Sequence, residues 1–300
     1  MVLRGTISLT GRRWLCAATL LYMLFPVSGR TSVCEEAGTR SFLAAAIVDH
    51  EESVLDPGPG STAQQNQSLQ VLVRGSESIS FGFDHRYTKF NFAGIEPQTN
   101  AHLHSAAFPF HWKRGGERRS LRVAVAPTLS TSSNVLGHPQ RYSADILQVA
   151  FALLWTRPLS ATSGFKYGLC GDDRFGRYRI LPAAVLEWRP HPDWELDLGF
   201  PVSSVTFSIS DLLSTAIVAM PDGSEWHVMN REFDAESRFV HEAYVVEWMV
   251  ALDAGEHLSI AAGFGRQMGN RFEMTLETGA RVAVEGEDVN RARVELRWRF

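Results

Sequence analysis

Apolar and polar residues alternate along most of the chain from residue 75 onward. In the final segment, RARVELRWRF, charged residues occupy one face and the other face carries Val294, Leu296, Trp298 and Phe300. Successive side chains of a β-strand point to opposite faces, whereas a helix would space its apolar residues by three and four. The alternation therefore predicts an all-β fold.

Fourteen segments with this alternation can be delimited, and because two of them are short, twelve strands is a close alternative. They cover 77–92, 104–112, 119–127, 144–155, 161–169, 179–189, 193–200, 203–209, 213–220, 224–230, 238–252, 256–265, 271–284 and 291–300. Many reach the ~9–11 residues that a tilted strand needs to cross a membrane. Strands of soluble sandwiches are usually shorter, ~5–6 residues. The pattern predicts a closed antiparallel transmembrane β-barrel of about 12–14 strands.

The first 74 residues lack this alternation and predict two further regions. Residues 1–29 combine arginines, a fourteen-residue apolar stretch and the sequence Val27-Ser28-Gly29, which is typical of a cleaved signal peptide. Residues 30–74 contain a candidate short helix around 42–47, followed by DPGPGSTAQQNQS. Such a composition is typical of a linker. The predicted domains are thus a signal peptide (1–29), a periplasmic flexible segment (30–74) and an outer-membrane barrel (75–300).

The net charge limits the kinds of partner that the chain is expected to bind. The formal net charge is −4, and removal of 1–29, which holds three arginines and no acids, lowers it to −7. An acidic exported chain is poorly suited to bind nucleic acid through bulk charge. We expect its partners to be outer-membrane lipid, periplasmic chaperones and the barrel-assembly machinery.

The terminal aromatic residue sets the predicted orientation. A final strand that keeps its alternation to Phe300 resembles the signal by which the assembly machinery recognises its clients, which places this end in the periplasm. Counting connections backward puts 93–103, 128–143, 170–178, 201–202, 221–223, 253–255 and 285–290 outside. It puts 113–118, 156–160, 190–192, 210–212, 231–237 and 266–270 inside. The three longest connections fall outside, as expected for outer-membrane barrels.

The middle of the chain resembles a known family. The residues that carry the resemblance are Phe175-Gly176, Arg179, Leu181-Pro182, Glu187-Trp188-Arg189-Pro190, Trp194, Leu196, Leu198-Gly199-Phe200-Pro201, Pro221-Asp222-Gly223 and Trp226. They are similar to the DUF6268-type family of uncharacterised proteobacterial outer-membrane β-barrel proteins. The resemblance covers roughly 75–300 and implies a barrel in the outer membrane, with no established activity.

The two mature cysteines are predicted to stay apart. Cys34 falls in the periplasmic segment and Cys170 at the outer end of a strand, on the order of 25 Å away across the apolar band. A disulfide needs Cα atoms within ~7 Å. Pairing is therefore expected only if residues 30–74 thread the lumen as a plug.

Candidates for chemistry are sparse. A serine hydrolase would need a histidine base beside its serine, and the histidines near predicted strand ends are His104 (next to Ser105), His227, His241 and His257. Asp172-Asp173 could bind a hard cation together with Glu287-Asp288. Neither set has a diagnostic spacing. We assign no catalytic, cofactor-binding or metal site and predict that the chain is not an enzyme.

Charged residues on the polar strand faces are the remaining candidate feature: Arg179, Glu187, Arg189, Glu195, Asp197, Glu247, Glu273, Glu277, Arg293, Glu295, Arg297 and Arg299. They indicate either a charged constriction that selects solutes or opposite charges that pair and fill the lumen. The predicted function is a non-enzymatic outer-membrane barrel, structural or a narrow passive channel. The alternatives are an outer-membrane lipid or ester hydrolase that uses rim residues, and a soluble secreted β-sandwich.

Overall fold

The computed structural model describes residues 34, 41–56, 60–94, 101–116, 119–138, 140, 142, 144–230, 235–276 and 279–300. Eighteen hydrogen-bonded segments form one sheet, and four of them continue the preceding segment across a short break, so the sheet has fourteen strands. The strands are β1 (Phe42–His50 and Ser53–Asp56), β2 (Ser61–Arg74), β3 (Ile79–Ala93), β4 (Ala101–Ala107 and Phe110–Gly115), β5 (Ser120–Ser132), β6 (Leu147–Pro158), β7 (Ser163–Asp172), β8 (Arg179–Trp188), β9 (Trp194–Phe200), β10 (Ser203–Ser208), β11 (Leu213–Pro221 and Ser224–Asn230), β12 (Ala235–Ala254), β13 (Leu258–Leu276) and β14 (Arg281–Gly286 and Val289–Arg299).

The sheet closes on itself through its first and last strands. β1 pairs with β14 in antiparallel register from Phe42↔Arg299 to His50↔Arg291. Because the sheet is closed, the backbone N–H and C=O groups of each strand can bond to a neighbouring strand on either side. A wall that is surrounded by hydrocarbon requires this, since no water is present there to bond these groups. The predicted fold class, a closed antiparallel barrel of 12–14 strands, is confirmed. The end of the barrel where Phe300 lies is called the inner end below.

The two faces of the wall are reversed relative to a soluble protein. Trp248, Val294 and Phe264 point outward with 56%, 57% and 56% of their surface exposed, whereas neighbouring Glu247 points inward and is fully buried. An apolar outer face around a polar interior is stable in lipid and not in water. The chain is therefore an outer-membrane-type β-barrel. No helix within the described ranges is long and apolar enough to cross a membrane.

The barrel narrows toward its outer end. The outer segment of β11 pairs in parallel with β5 at His227↔Thr131, and Thr131 Oγ1 donates to the carbonyl oxygen of His227. Five strands, β6–β10, end below this bridge. A helical turn, α1 (Ser133–Leu136), follows β5 directly. The outer end is thus enclosed by fewer strands than the inner end, which reduces the width of the lumen there.

The prediction of a flexible segment over residues 30–74 is wrong for those of its residues that the structure describes. Residues 42–56 and 61–74 form β1 and β2, so the barrel begins at Phe42 and not at residue 75. The predicted short helix is also wrong, because Phe42, Ala44 and Ala46 alternate inward along a strand. The prediction failed at β2 because its inward face, which lines a polar lumen, carries Gln64 and Asn66, while Gln65 on its outward face bonds Asp49. Residues 1–33 lie outside the described residues.

The predicted strand number agrees with the structure because errors compensate. The segments 213–220 and 224–230 are one strand, β11, and 256–265 continues into 271–276 in β13, while 281–284 belong to β14. The turn-like sequences at 221–223 and 268–269 are interruptions within strands. As a result the predicted sides of two connections were wrong. The connection predicted outside at 253–255 lies at the inner end, next to Trp298↔Leu258. The connection predicted inside at 231–237 falls where β11 ends and β12 begins, and both of these strand ends lie at the outer end.

Introducing an arginine on the outward face of the last strand tests whether that face contacts lipid. We expect Val294→Arg to lower the free energy of unfolding by about 2–4 kcal/mol, because an exposed cation at mid-depth must be drawn into hydrocarbon. Val294→Leu keeps the surface apolar and serves as the control. The measurement is a urea titration of the barrel folded into lipid vesicles, followed by tryptophan fluorescence. Equal stability of the two variants would contradict lipid contact at Val294.

Candidate functional site

A cavity of about 510 Å3 occupies the inner part of the barrel. Alanines of β1, polar residues of β2 and the charged face of β14 line one side. The other side is lined by β8–β12, with Val185, Val218, Met220 and Met249 among polar side chains such as Asp197 and Ser204. Its charged lining residues are Arg86, Lys166, Arg174, Asp197, Asp222, Glu247, Asp253, Arg291, Arg293, Glu295, Arg297 and Arg299. The cavity is therefore the candidate functional site.

An ion-pair network crosses the cavity at mid-height. Asp222 lies 3.2 Å from Arg86 and 2.7 Å from Arg291. Glu247 lies 3.8 Å from Arg291 and 3.6 Å from Arg293. Because a buried charge is expensive without a partner, the network holds β3, β11, β12 and β14 in one arrangement.

The break in β11 places Asp222 in this network. Its backbone N–H donates to Ala243 O (2.9 Å), and the next N–H, of Gly223, donates to Arg174 O (2.7 Å). A Cβ on Gly223 would lie 2.5 Å from both Gly176 N and His241 O, so this close approach requires glycine. The sequence Pro221-Asp222-Gly223, which resembles a turn, instead directs a carboxylate into the lumen.

The lumen charges pair with one another, as the second of the two sequence-based interpretations predicts. Glu295 pairs with Arg293 and Arg297. Lys166 lies 2.8 Å from Glu187. Arg299 lies 3.0 Å from Asp253. Neighbouring opposite charges leave a polar lumen with little unbalanced field.

Some predicted lumen charges lie elsewhere. Arg179 pairs with Glu242, near the outer end. Glu273 is buried on the side of β13 opposite the inward-facing Phe272 and pairs with Arg177. Arg189 and Glu195 pair at the inner end with about half of each side chain exposed. Glu277 lies outside the described residues. Arg179, Arg189 and Glu195 lie at or next to strand ends, and the register shift between β12 and β13 comes just before Glu273 on its strand.

Side chains with hydrogen-bonding groups form a layer above the ion pairs. His50 Nδ1 lies 3.2 Å from Gln64 O, and Gln267 Nε2 donates to Gln64 Oε1 at 3.2 Å and Asn270 Oδ1 at 2.6 Å. His241 Nε2 is 3.3 Å from the same Asn270 oxygen. Sequence reasoning missed this layer, although polar residues at every second position of 62–70 were a usable signal.

Aromatic side chains close the lumen above that layer. This aromatic layer consists of Phe90, Trp226, Phe239 and Phe272, packed with Leu55 and Leu103, and each of the six is at most 6% exposed. Phe90 lies at the centre, with ring centroids 5.5 Å from Phe239 and 5.5 Å from Phe272. Trp226 Nε1 donates to Ser105 Oγ at 3.0 Å. The cavity therefore ends at an apolar partition on its outer side.

Comparisons with known proteins give structural neighbours alone. No family model matches the chain, and no curated protein matches it. Similar solved structures include the COG4313 outer membrane channel from Pseudomonas putida F1 (TM-score 0.46, 8% identity, 91% of this chain and 100% of that chain covered). The translocator domain of autotransporter NalP from Neisseria meningitidis is another (0.42, 11%, 97% and 95%), as is the toluene transporter TodX of Pseudomonas putida (0.37, 8%, 87% and 89%). With scores this low, the barrel is established by the chain's own strand pairing.

The prediction that Cys34 and Cys170 stay apart is wrong. They form a disulfide with Cα atoms 5.9 Å apart. Cys34 lies in the lumen, against a patch of small inward residues of β5, β6 and β8 that includes Ala124, Ala152 and Ala183. The error came from placing residue 34 in the periplasm. Pairing was expected only if the segment before the barrel entered the lumen, and at Cys34 it does.

The structure separates His104 from Ser105. Ser105 points into the lumen, where it is buried and accepts hydrogen bonds from Trp226 and Ser130. His104 points outward and contacts His85 and Ser133. Adjacent residues of a strand face opposite sides, so this pair carries no catalysis. His227 and His241 are buried, and His257 contacts Arg299 O at the inner end.

The acidic residues considered for a metal site are bound to different partners. Asp172 pairs with Arg174 at 3.1 Å, and Asp173 accepts from Ser224 Oγ and Glu225 N at 3.1 Å. Asp288 accepts from Gly269 N at 3.1 Å. Among the described residues, no group of three or more His, Cys, Asp or Glu side chains is arranged to hold a metal ion.

Proposed function

We propose that the protein is a narrow passive channel of the outer membrane that is closed at rest by its aromatic layer, with a lumen that takes no part in catalysis. The observation that carries the proposal is a cavity of about 510 Å3, lined by charged and apolar side chains, that occupies the inner half and ends at the aromatic layer. Passage requires the layer to move, since six packed apolar side chains exclude water.

The pairing of charges in the lumen favours passage of small solutes of either charge, and not selection of ions of one sign. Each cation of the network has an acidic neighbour, from Arg86 at the centre to Arg299 at the inner end. A selective constriction would instead present one sign of charge along the path. We therefore expect weak discrimination between anions and cations.

Planar-bilayer recording tests the proposal. Folded protein is first verified by heat-modifiable migration on a gel, so that insertion and conductance are separate observations. We expect wild-type protein to show infrequent, small conductance steps with a reversal potential near zero in asymmetric KCl. A folded, inserted barrel that stays silent at all voltages would overturn the channel and leave a structural role.

Two predictions from the sequence accompany this proposal. The resemblance to the DUF6268-type family stays a prediction, and so does recognition of Phe300 by the barrel-assembly machinery. Phe300 is 62% exposed at the inner end, and its N–H donates to Ser41 O at 3.1 Å. An accessible terminal aromatic residue is consistent with a recognition signal during assembly.

A further inference from the structure

Three side chains on the outer wall of the barrel form a linear relay. His104 Nε2 lies 2.8 Å from Ser133 Oγ, and His104 Nδ1 lies 3.2 Å from His85 Nε2. The rings of His85 and His104 are stacked, with centroids 5.5 Å apart. A nucleophile, a base and a third group that orients the base are the parts of a serine hydrolase, and these are recognised by geometry and not by order in the sequence.

The fold brings these residues together from three elements. His85 lies on β3 and His104 on β4, in neighbouring registers of the same outward face, where Tyr87 pairs with His104. Ser133 follows the last residue of β5 and begins α1, which leaves its side chain exposed. Twenty-nine residues separate His104 from Ser133, so the contact depends on the sheet.

The contacts are compatible with one proton arrangement suited to catalysis. If Nδ1 of His104 donates to His85, then Nε2 is unprotonated and accepts the Ser133 hydroxyl. That hydroxyl also lies 3.3 Å from the carbonyl oxygen of His102, which is a second acceptor for the same proton. Such a tautomer is what a general base requires.

We propose that Ser133, His104 and His85 form an ester-hydrolysing site on the outer wall, separate from the lumen. Ser133 Oγ attacks the ester carbonyl carbon while its proton passes to His104 Nε2. The C–O bond to the alcohol then breaks, and the leaving oxygen takes that proton. Water attacks the acyl-Ser133 ester with the same base, which releases the carboxylic acid and restores the serine. His85 is a positioning residue, since it acts through His104.

The surroundings indicate the class of substrate. Phe83 lies two residues before His85 on the same outward face, and its ring is 5.3 Å from that of Phe108. Phe108 and Phe81 are each more than half exposed and belong to the apolar outer surface. The site therefore adjoins lipid-facing aromatic residues, and an acyl chain lying on them would bring its ester to Ser133. The substrate class is an acyl ester held at the membrane surface.

Covalent labelling of the full-length barrel in detergent micelles tests this site. The probe is an alkyl fluorophosphonate, which phosphonylates an activated serine and releases fluoride. We expect wild-type protein to carry one adduct, mapped to Ser133 by mass spectrometry. Ser133→Ala should lose the adduct, and His104→Asn should slow labelling by about a hundredfold or more, the contribution typical of a general base.

Controls separate the site from changes in folding. Ser132→Ala alters the preceding buried serine and should label like wild type, and heat-modifiable migration confirms that each variant is folded. His85→Phe retains the stacked ring, so we expect slower labelling together with a shifted pH midpoint, which loss of packing alone would not produce. A folded wild-type barrel without an adduct, or an adduct on another serine, would overturn the proposal. Neither result bears on bilayer conductance.

Discussion

Replacing Arg291 with methionine should lower the free energy of unfolding by about 3 kcal/mol, the lower part of the range for breaking a buried ion pair. Arg291 is 4% exposed and contacts both Asp222 and Glu247. Asp222 keeps Arg86 and Glu247 keeps Arg293, so the loss falls short of the full penalty for an isolated charge. Urea titration in lipid vesicles with tryptophan fluorescence measures the effect.

Arg299→Met is the matched control for this change. It removes the same side chain from the same inward face of β14, but the Arg299–Asp253 pair at the inner end is about one-third exposed. Such a pair is worth about 0–1 kcal/mol. If the two variants lose comparable amounts of unfolding free energy, burial of the ion-pair network does not add to its stabilising effect, and the prediction for Arg291 is wrong.

Truncating the aromatic layer should open the channel. We expect Trp226→Ala to raise the single-channel conductance severalfold, because Trp226 is 1% exposed at the apolar partition and its removal leaves space that joins the cavity to the outer end. The same change should lower stability by about 3–5 kcal/mol. Planar-bilayer recording and urea titration measure the two effects separately.

Trp248→Ala distinguishes this result from a general loss of tryptophan. Trp248 also donates a hydrogen bond, to Thr215 Oγ1 at 2.7 Å, but it faces outward and is 56% exposed. Its removal should leave conductance unchanged. If Trp226→Ala folds and inserts with wild-type conductance, the aromatic layer is not the barrier.

The histidines illustrate how far local reasoning reaches. Alternation along β4 predicts that His104 and Ser105 face opposite sides, yet proximity in sequence made them the natural pair to consider. The hydroxyl that His104 contacts belongs to Ser133, the first residue of α1, directly after the outer end of β5. No local pattern predicts this contact, because it depends on how β4 and β5 are staggered across the sheet.

The sequence by itself determined the wall of the barrel and its location. An outward apolar face and an inward charged face follow from period two, and β14 retained this pattern to Phe300. The same pattern was missed at β2, because Gln65 and Gln67 on its outward face stand among the polar inward residues, and large apolar outward residues begin only at Leu69. Local signals were sufficient wherever lipid met one face and water or charge met the other.

Only the tertiary structure decided what fills the lumen. Asp222 and Arg291 are 69 residues apart, and Cys34 and Cys170 are 136 apart. The members of the aromatic layer come from strands around much of the circumference. Inward side chains meet across a closed barrel, and the shear between strands sets which of them lie at the same height. Since that height is a property of the whole sheet, no single strand's sequence encodes it.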